Sequence, residues 1–190
     1  LRRQSSVVLS RFDSPEMTCA FEHVGADIRW AQPDLGTGEL PAFQYADLVD
    51  GSTRFVAFSA AHELLGTVTS ASDIVDAVHE RSRAWALVDV SSIAPYRLLD
   101  FDAIGADILG VDVGALGGPQ MAALVFRDTA MFRRLDEIVV GPVSAGLAGG
   151  VGPLVDHLAE LAGGERGSRR VRLTRSMEAL AGYMEDLTGC

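Results

Sequence analysis

Two carboxylates are the residues of this chain best placed to do chemistry. Asp89 lies in the apolar run AWALVDV and Asp112 in DILGVDV. Each falls at the carboxyl end of a predicted strand, the edge where open α/β sheets gather their ligands. With Glu63 they could converge on one pocket, around a hard divalent cation that takes oxygen ligands. The plainer role for such carboxylates is to cap the following segment or to pair with an arginine such as Arg97. Asp107, at the start of its strand, reads as structural. Other candidates fail on spacing. His62-Glu63 lacks a second histidine one helical turn on, because HELLG puts Gly66 there, and the zinc chemistry needs both imidazoles. Ser144 in GPVSAG has its first glycine one place too early for a nucleophile elbow and no strand leading into it, so it reads as a loop-to-helix serine. The glycines of GVDVGALGGP follow a strand without dinucleotide-binding spacing, and Pro119 opposes an uninterrupted helix start.

Arginine supplies all 16 basic charges against 26 acidic residues, there is no lysine, and the net charge is -10. A nucleic-acid partner is disfavoured, because phosphate neutralisation needs a clustered basic surface. The one cluster, Arg166, Arg169, Arg170 and Arg172, reads as a solvated helix start. The cysteines, Cys19 and Cys190, make no disulfide framework and fit a reducing compartment, so a cytoplasmic location is expected. No apolar run approaches the roughly 18 residues of a membrane helix, and the first ten residues lack a signal-peptide core. The start at Leu1 and stop at Cys190 suggest a fragment or a processed product.

The elements that must hold these residues alternate. Strands are predicted at 7–10, 27–31, 54–59, 84–90, 107–113 and 122–127, and helices at 15–24, 43–50 and 72–83. In the third helix Ile74, Val75 and Val78 share one face and Ser72 is the expected N-cap. Strand and helix in alternation imply a largely parallel sheet buried on both faces. After residue 130 the pattern turns helical. Residues 145–162 are expected to form a helix broken or kinked at Pro153. A final amphipathic helix behind Ser168 carries Val171, Thr174, Met177, Leu180, Met184 and Leu187.

The segment VDVSSIAPYRLLDFDAIGADILGVDVGALGGPQMAALVFRD, residues 88–128, resembles the core of the class V pyridoxal phosphate (PLP) enzymes, which include cysteine desulfurases, selenocysteine lyases and isopenicillin N epimerase-like proteins. Asp89, Ala94-Pro95, Leu99-Asp100, Gly105-Ala106-Asp107 and Gly118-Pro119 stand at the places of that family's pattern without a gap. Segments 7–34 and 54–68 and the final helix are similar to further family segments. The resemblance implies a three-layer α/β/α sandwich with a mostly parallel sheet, part of the large cofactor domain of fold type I. Residues 1–140 would form its central α/β part, and 141–190 a helical segment leading toward a small domain.

What the resemblance implies for the cofactor is loss. The aspartate that pairs with the pyridine nitrogen falls on Asp89 and is retained. The histidine or glutamine at the phenolic oxygen falls on Ser92, its asparagine partner on Glu63, and the stacking histidine on Ser14, which has no π surface. The phosphate-donating serine or threonine falls on Asp112, and the Schiff-base lysine on Ala115. Arginine is no substitute for that lysine, since its guanidinium stays protonated. The stretch at 141–152 has also lost the family's E-x-G-T-P signature. A non-catalytic binding or oligomerisation scaffold is therefore expected, with no cofactor bound and no catalytic residue or metal. The alternatives are a sulfur- or amino-group-transferring enzyme holding PLP noncovalently or with a borrowed lysine, and a PLP-independent activity of Asp89, Asp112 and Glu63. Family members are typically homodimers, so a homodimer is implied; any small-molecule ligand is open.

Overall fold

The computed structural model describes residues 5–135, 144–163 and 166–189. Six strands form where the apolar runs fall: β1 (Ser6–Ser10), β2 (Asp27–Ala31), β3 (Thr53–Ser59), β4 (Trp85–Asp89), β5 (Ile108–Asp112) and β6 (Ala122–Phe126). They make one sheet in the order β2-β1-β3-β4-β5-β6. All neighbours are parallel except β6, which runs antiparallel to β5.

Successive side chains of a strand point to opposite faces, and the two cores follow that period of two. Val8, Val56, Phe58, Ala86 and Val88 pack on one face against Tyr45 of α2 (Ala42–Leu48) and Ile74, Val75 and Val78 of α3 (Ala71–Arg81). Val7, Leu9 and Ala57 face the other way, under Met17 and Phe21 of α1 (Pro15–His23). Both faces of the central strands are therefore covered, as a parallel sheet requires. Burial fades toward β6, an edge strand with Leu124 56% and Val125 45% exposed.

Two local expectations change, and one further helix appears. Helix α3 starts after Ser70, not Ser72. The Thr69 N–H is bound to the Ala60 carbonyl at 2.8 Å, which holds the chain extended up to that point and lets the helix begin at once. A short helix α4 (Phe101–Ile104) appears behind Asp100, whose carboxylate accepts from the N–H groups of Asp102 and Ala103. In the C-terminal part the break falls at Gly150, between α5 (Ala145–Gly149) and α6 (Val151–Glu160), and not at Pro153. Pro153 sits in the first turn of α6, where its missing N–H has no intrahelical partner to lose; Leu154 N–H reaches back across it to the Gly150 carbonyl.

Helix α7 (Arg169–Thr188) is capped by Ser168 as expected. Its apolar stripe is buried at Met177, while Val171 and Leu187 are 50% and 63% exposed. The arginine cluster at its start is more than a solvated face. Arg169 pairs with Asp156 at 2.7 Å and Arg172 with Glu160 at 3.8 Å, both on α6, and Arg170 lies 4.0 Å from Asp100. The buried Ser176 hydroxyl donates to the Ala159 carbonyl and accepts from Ala162 N–H, each at 3.1 Å. The expected boundary at 140/141 and Cys190 lie outside the described residues. Among the described residues no helix is long and apolar enough to cross a membrane.

Candidate functional site

The strand order reverses between β1 and β3, since β2 lies outside β1 while the chain continues on the other side through β3. That switch point opens a crevice at the carboxyl edge of an α/β sheet, where ligands ordinarily enter. Here a side chain closes it. Asp13, in the β1–α1 loop, accepts from Ser10 N–H at 2.7 Å, at the end of β1. Its other oxygen accepts from Ser59 N–H at 2.9 Å and from the Ser59 hydroxyl at 3.3 Å, at the end of β3. Burial pushes the Asp13 pKa up to about 6, against the hydrogen bonds from Ser10 and Ser59, which favour the anion, and with a smaller push from the charge of Asp89. Tyr45, fully buried beneath, has its phenol pKa raised, first by burial and then by Asp13, with Ser10 opposing. Its hydroxyl lies beside Ser10 but makes no hydrogen bond of good geometry.

One strand further along, Asp89 stands in register with Ser59 on β3 and Gly110 on β5. Its Oδ1 accepts from Ser91 N–H at 2.9 Å and from the Ser91 hydroxyl at 2.5 Å. The same hydroxyl accepts from Asp112 N–H at 2.9 Å. Ser91 therefore staples the ends of β4 and β5 together, with its proton directed to Asp89. Asp112 in turn caps the following turn, accepting from Gly114 N–H at 2.8 Å. The capping role holds for both strand-end carboxylates, and Arg97 makes no ion pair with either among the described residues. Asp107 is structural: it accepts from Ala86 N–H at 2.8 Å and lies 3.0 Å from His79 Nε2.

A cavity of about 500 Å³ lies over this edge. Four of the residues singled out from the sequence line it together: Glu63, Ser92, Asp112 and Ala115. Tyr96 and Arg97 also line it, and His62 anchors the turn that carries Glu63 by accepting from Leu65 N–H at 3.2 Å through Nδ1. Asp89 and Ser14 are not among the lining residues. Ser14 is the N-cap of α1, accepting from Met17 N–H at 3.3 Å. Ser144 likewise caps α5. Among the described residues no group of three or more His, Cys, Asp or Glu is arranged to hold a metal. The convergence of Asp89, Asp112 and Glu63 on a divalent cation is therefore not formed, because Asp89 turns to Ser91.

These groups do not fit PLP anchored as an imine. At the positions that the resemblance assigns to the lysine, the phosphate donor and one phenolate contact, the cavity offers the methyl group of Ala115 and the acceptor-only carboxylates of Asp112 and Glu63, although Ser92, Tyr96 and Arg97 also line it and carry donors. A phosphate dianion needs N–H and O–H donors, and the Ser91 hydroxyl has its proton committed to Asp89. No lysine amine for an imine exists in the 190 residues.

Sequence reasoning did not single out Ser91, Asp13, Ser59 or Tyr45. Asp89-Val90-Ser91 carries a local signal, since an aspartate commonly accepts from the N–H two residues on. The partnership of Asp13 with Ser59 spans 46 residues and leaves no trace in local spacing.

The chain matches the sequence model of the aminotransferase class-V family over residues 11–128. It is 36% identical over 195 aligned positions to a Mycobacterium tuberculosis protein of unassigned function, covering 94% of this chain and 48% of that protein. To a cysteine desulfurase of Yersinia pestis it is 30% identical over 115 positions, covering 60% of this chain and 28% of the enzyme. The chain thus spans less than half the length of these relatives. In structure it is similar to a sphingosine-1-phosphate lyase of Burkholderia pseudomallei, with a TM-score of 0.71 at 20% identity over 91% of this chain and 43% of the lyase, a likeness of fold alone. Fold, spacing and sequence similarity agree, and the chain belongs to the aminotransferase class-V family.

Proposed function

We propose that this chain is a cysteine-desulfurase-like, class V member that has lost the PLP-anchoring lysine and acts as a non-catalytic binding or oligomerisation scaffold in the cytoplasm. PLP is the family's cofactor. The observation that carries the reading is the lining of the cavity: Ala115 at the position that resemblance assigns to the Schiff-base lysine, Asp112 at the phosphate donor and Glu63 and Ser92 at the phenolate contacts, all on one wall system. Asp89, the retained aspartate, is engaged by Ser91. The losses involve separate elements, the β3–α3 loop, the β4–α4 loop and the turn after β5, so one local rearrangement does not account for them. The exposed apolar edge of β6 is in keeping with a scaffold that docks another surface, and a homodimer is part of the proposal.

Titration of the protein with PLP, followed by visible absorbance, tests this reading. No saturable protein-bound band is expected. A stoichiometric band would refute the proposal. Restoring the positions that the resemblance assigns to the cofactor, with Ala115→Lys, Asp112→Ser and Glu63→Asn in the cavity and Ser14→His outside its lining, is expected to produce an aldimine band that borohydride reduction fixes to the chain.

A further inference from the structure

We propose that the hairpin closed by Ala61 and Val68 is a proton-sensitive wall of the cavity, pinned by neutral His62 and released when His62 takes up a proton. The hairpin leaves the end of β3. Ala61 pairs antiparallel with Val68, Thr69 N–H donates to the Ala60 carbonyl at 2.8 Å, and His62 N–H donates to the Thr67 carbonyl at 2.9 Å. Ala61, His62, Glu63, Gly66 and Val68 all line the cavity. The tip is not anchored by apolar burial, since Leu64 is 87% and Leu65 56% exposed. A segment held chiefly by solvent-exposed hydrogen bonds stands at the low end of local stability. One of those bonds comes from a side chain: Leu65 N–H donates to His62 Nδ1 at 3.2 Å, beside the Gly66 N–H donation to the His62 carbonyl at 2.8 Å.

That acceptor role fixes where the ring proton sits. A backbone N–H always donates, so Nδ1 presents its lone pair and the proton of the neutral ring is on Nε2. Imidazole is the side chain whose charge changes between pH 5 and pH 8. With a proton on Nδ1 two donors face each other, and the bond to Leu65 is lost. The groups around the ring do not restore it. Phe12, from the β1–α1 loop, lies 4.6 Å from the imidazole between ring centroids. Its charged neighbours are engaged elsewhere, Arg11 over the Trp30 ring and Asp13 with Ser10 and Ser59. Glu63 in the same turn and Asp112 after β5 share the cavity with the imidazole and attract its cation, Arg97 opposes it, and Asp89 is engaged by Ser91. The Phe12 ring attracts a cation as well. Each attraction draws the charged ring to a partner other than the Leu65 amide, so protonation frees the tip whichever partner wins.

Nuclear magnetic resonance of the isotope-labelled protein, titrated from about pH 7.5 to about pH 5, tests the proposal. At the upper end the His62 ring should be the Nε2–H tautomer. As the ring gains its proton, the Leu65 amide should lose about fivefold of its protection from solvent exchange, the weight of one ordinary hydrogen bond. Ile93 is 8% exposed and lines the cavity. Relaxation of its methyl groups by a soluble paramagnetic chelate should rise with the same midpoint as the wall opens. His62→Asn offers an oxygen acceptor near the place of Nδ1 and does not titrate, so the pH dependence should vanish, whereas Asp13→Asn should leave it intact. The hairpin tip is exposed, so His62→Asn is expected to fold. An Nδ1–H ring at the upper end, Leu65 protection that ignores the titration of the ring, or Ile93 methyl groups that do not respond would each overturn the proposal. So would a pH dependence that survives in His62→Asn or disappears in Asp13→Asn.

Discussion

Asp13 is expected to make the stability of this protein fall between pH 4 and pH 6. Its carboxyl bridges the ends of β1 and β3 from a partly buried position, and its pKa rises from 3.8 to about 6. A group whose folded pKa is raised contributes stability that is fully present below the unfolded pKa and is lost as pH rises through the folded pKa. The window runs from about pH 3.8 to about pH 6. At about 1.4 kcal/mol per pH unit, the shift corresponds to about 3 kcal/mol of stability lost on ionisation. The perturbation is Asp13→Asn, compared with the parent by urea denaturation at pH 4 and pH 7. Asparagine keeps one acceptor and presents an amide where the second oxygen stood, so its intrinsic cost against Ser10 or Ser59 N–H is the same at each pH and cancels in the comparison. The advantage of the parent over the variant should shrink by about 2 kcal/mol from pH 4 to pH 7, most of the full shift, since the unfolded carboxyl is already partly ionised at pH 4. A difference that stays constant, or that grows with pH, would refute the assignment of burial as the dominant effect on this carboxyl.

Two further perturbations test how the site is framed. Gly118→Ala would place a Cβ 2.6 Å from a Leu154 methyl, 2.8 Å from Val113 Cγ1 and 2.9 Å from the Val113 carbonyl oxygen. The backbone oxygen cannot step aside, so overpacking should cost about 1–3 kcal/mol, read as a lower melting temperature; an unchanged value would mean that α6 is not seated against the turn after β5. Ser176→Ala removes a buried hydroxyl that satisfies both the Ala159 carbonyl and Ala162 N–H. Leaving those groups unpaired should cost about 1–3 kcal/mol, with faster amide exchange in α6, and unaltered exchange would argue against this link.

The sheet was legible because its strands are local in sequence. Apolar runs separated by helical spacing produced all six strands to within about a residue or two, and the 3.6-residue period placed Ile74, Val75 and Val78 on the buried face of α3. Caps were legible where the partner lay within three or four residues, as for Ser144 and Ser168. They failed where tertiary pairing intervened, as when the Thr69–Ala60 bond moved the start of α3. The absence of lysine is a fact of sequence that no fold can alter.

Tertiary structure decided which carboxylates share a space. Asp89 and Asp112 look equivalent along the chain, each ending an apolar run, yet Ser91 draws Asp89 into the β4–β5 junction while Asp112 lines the cavity with Glu63. A single hydroxyl with one proton to donate makes that choice, and its geometry exists only once β4 and β5 are side by side. Asp13 is the sharper case. Nothing in its neighbours announces a perturbed acid; its pKa depends on being enclosed between two strand ends that meet only when the chain reverses direction across the sheet.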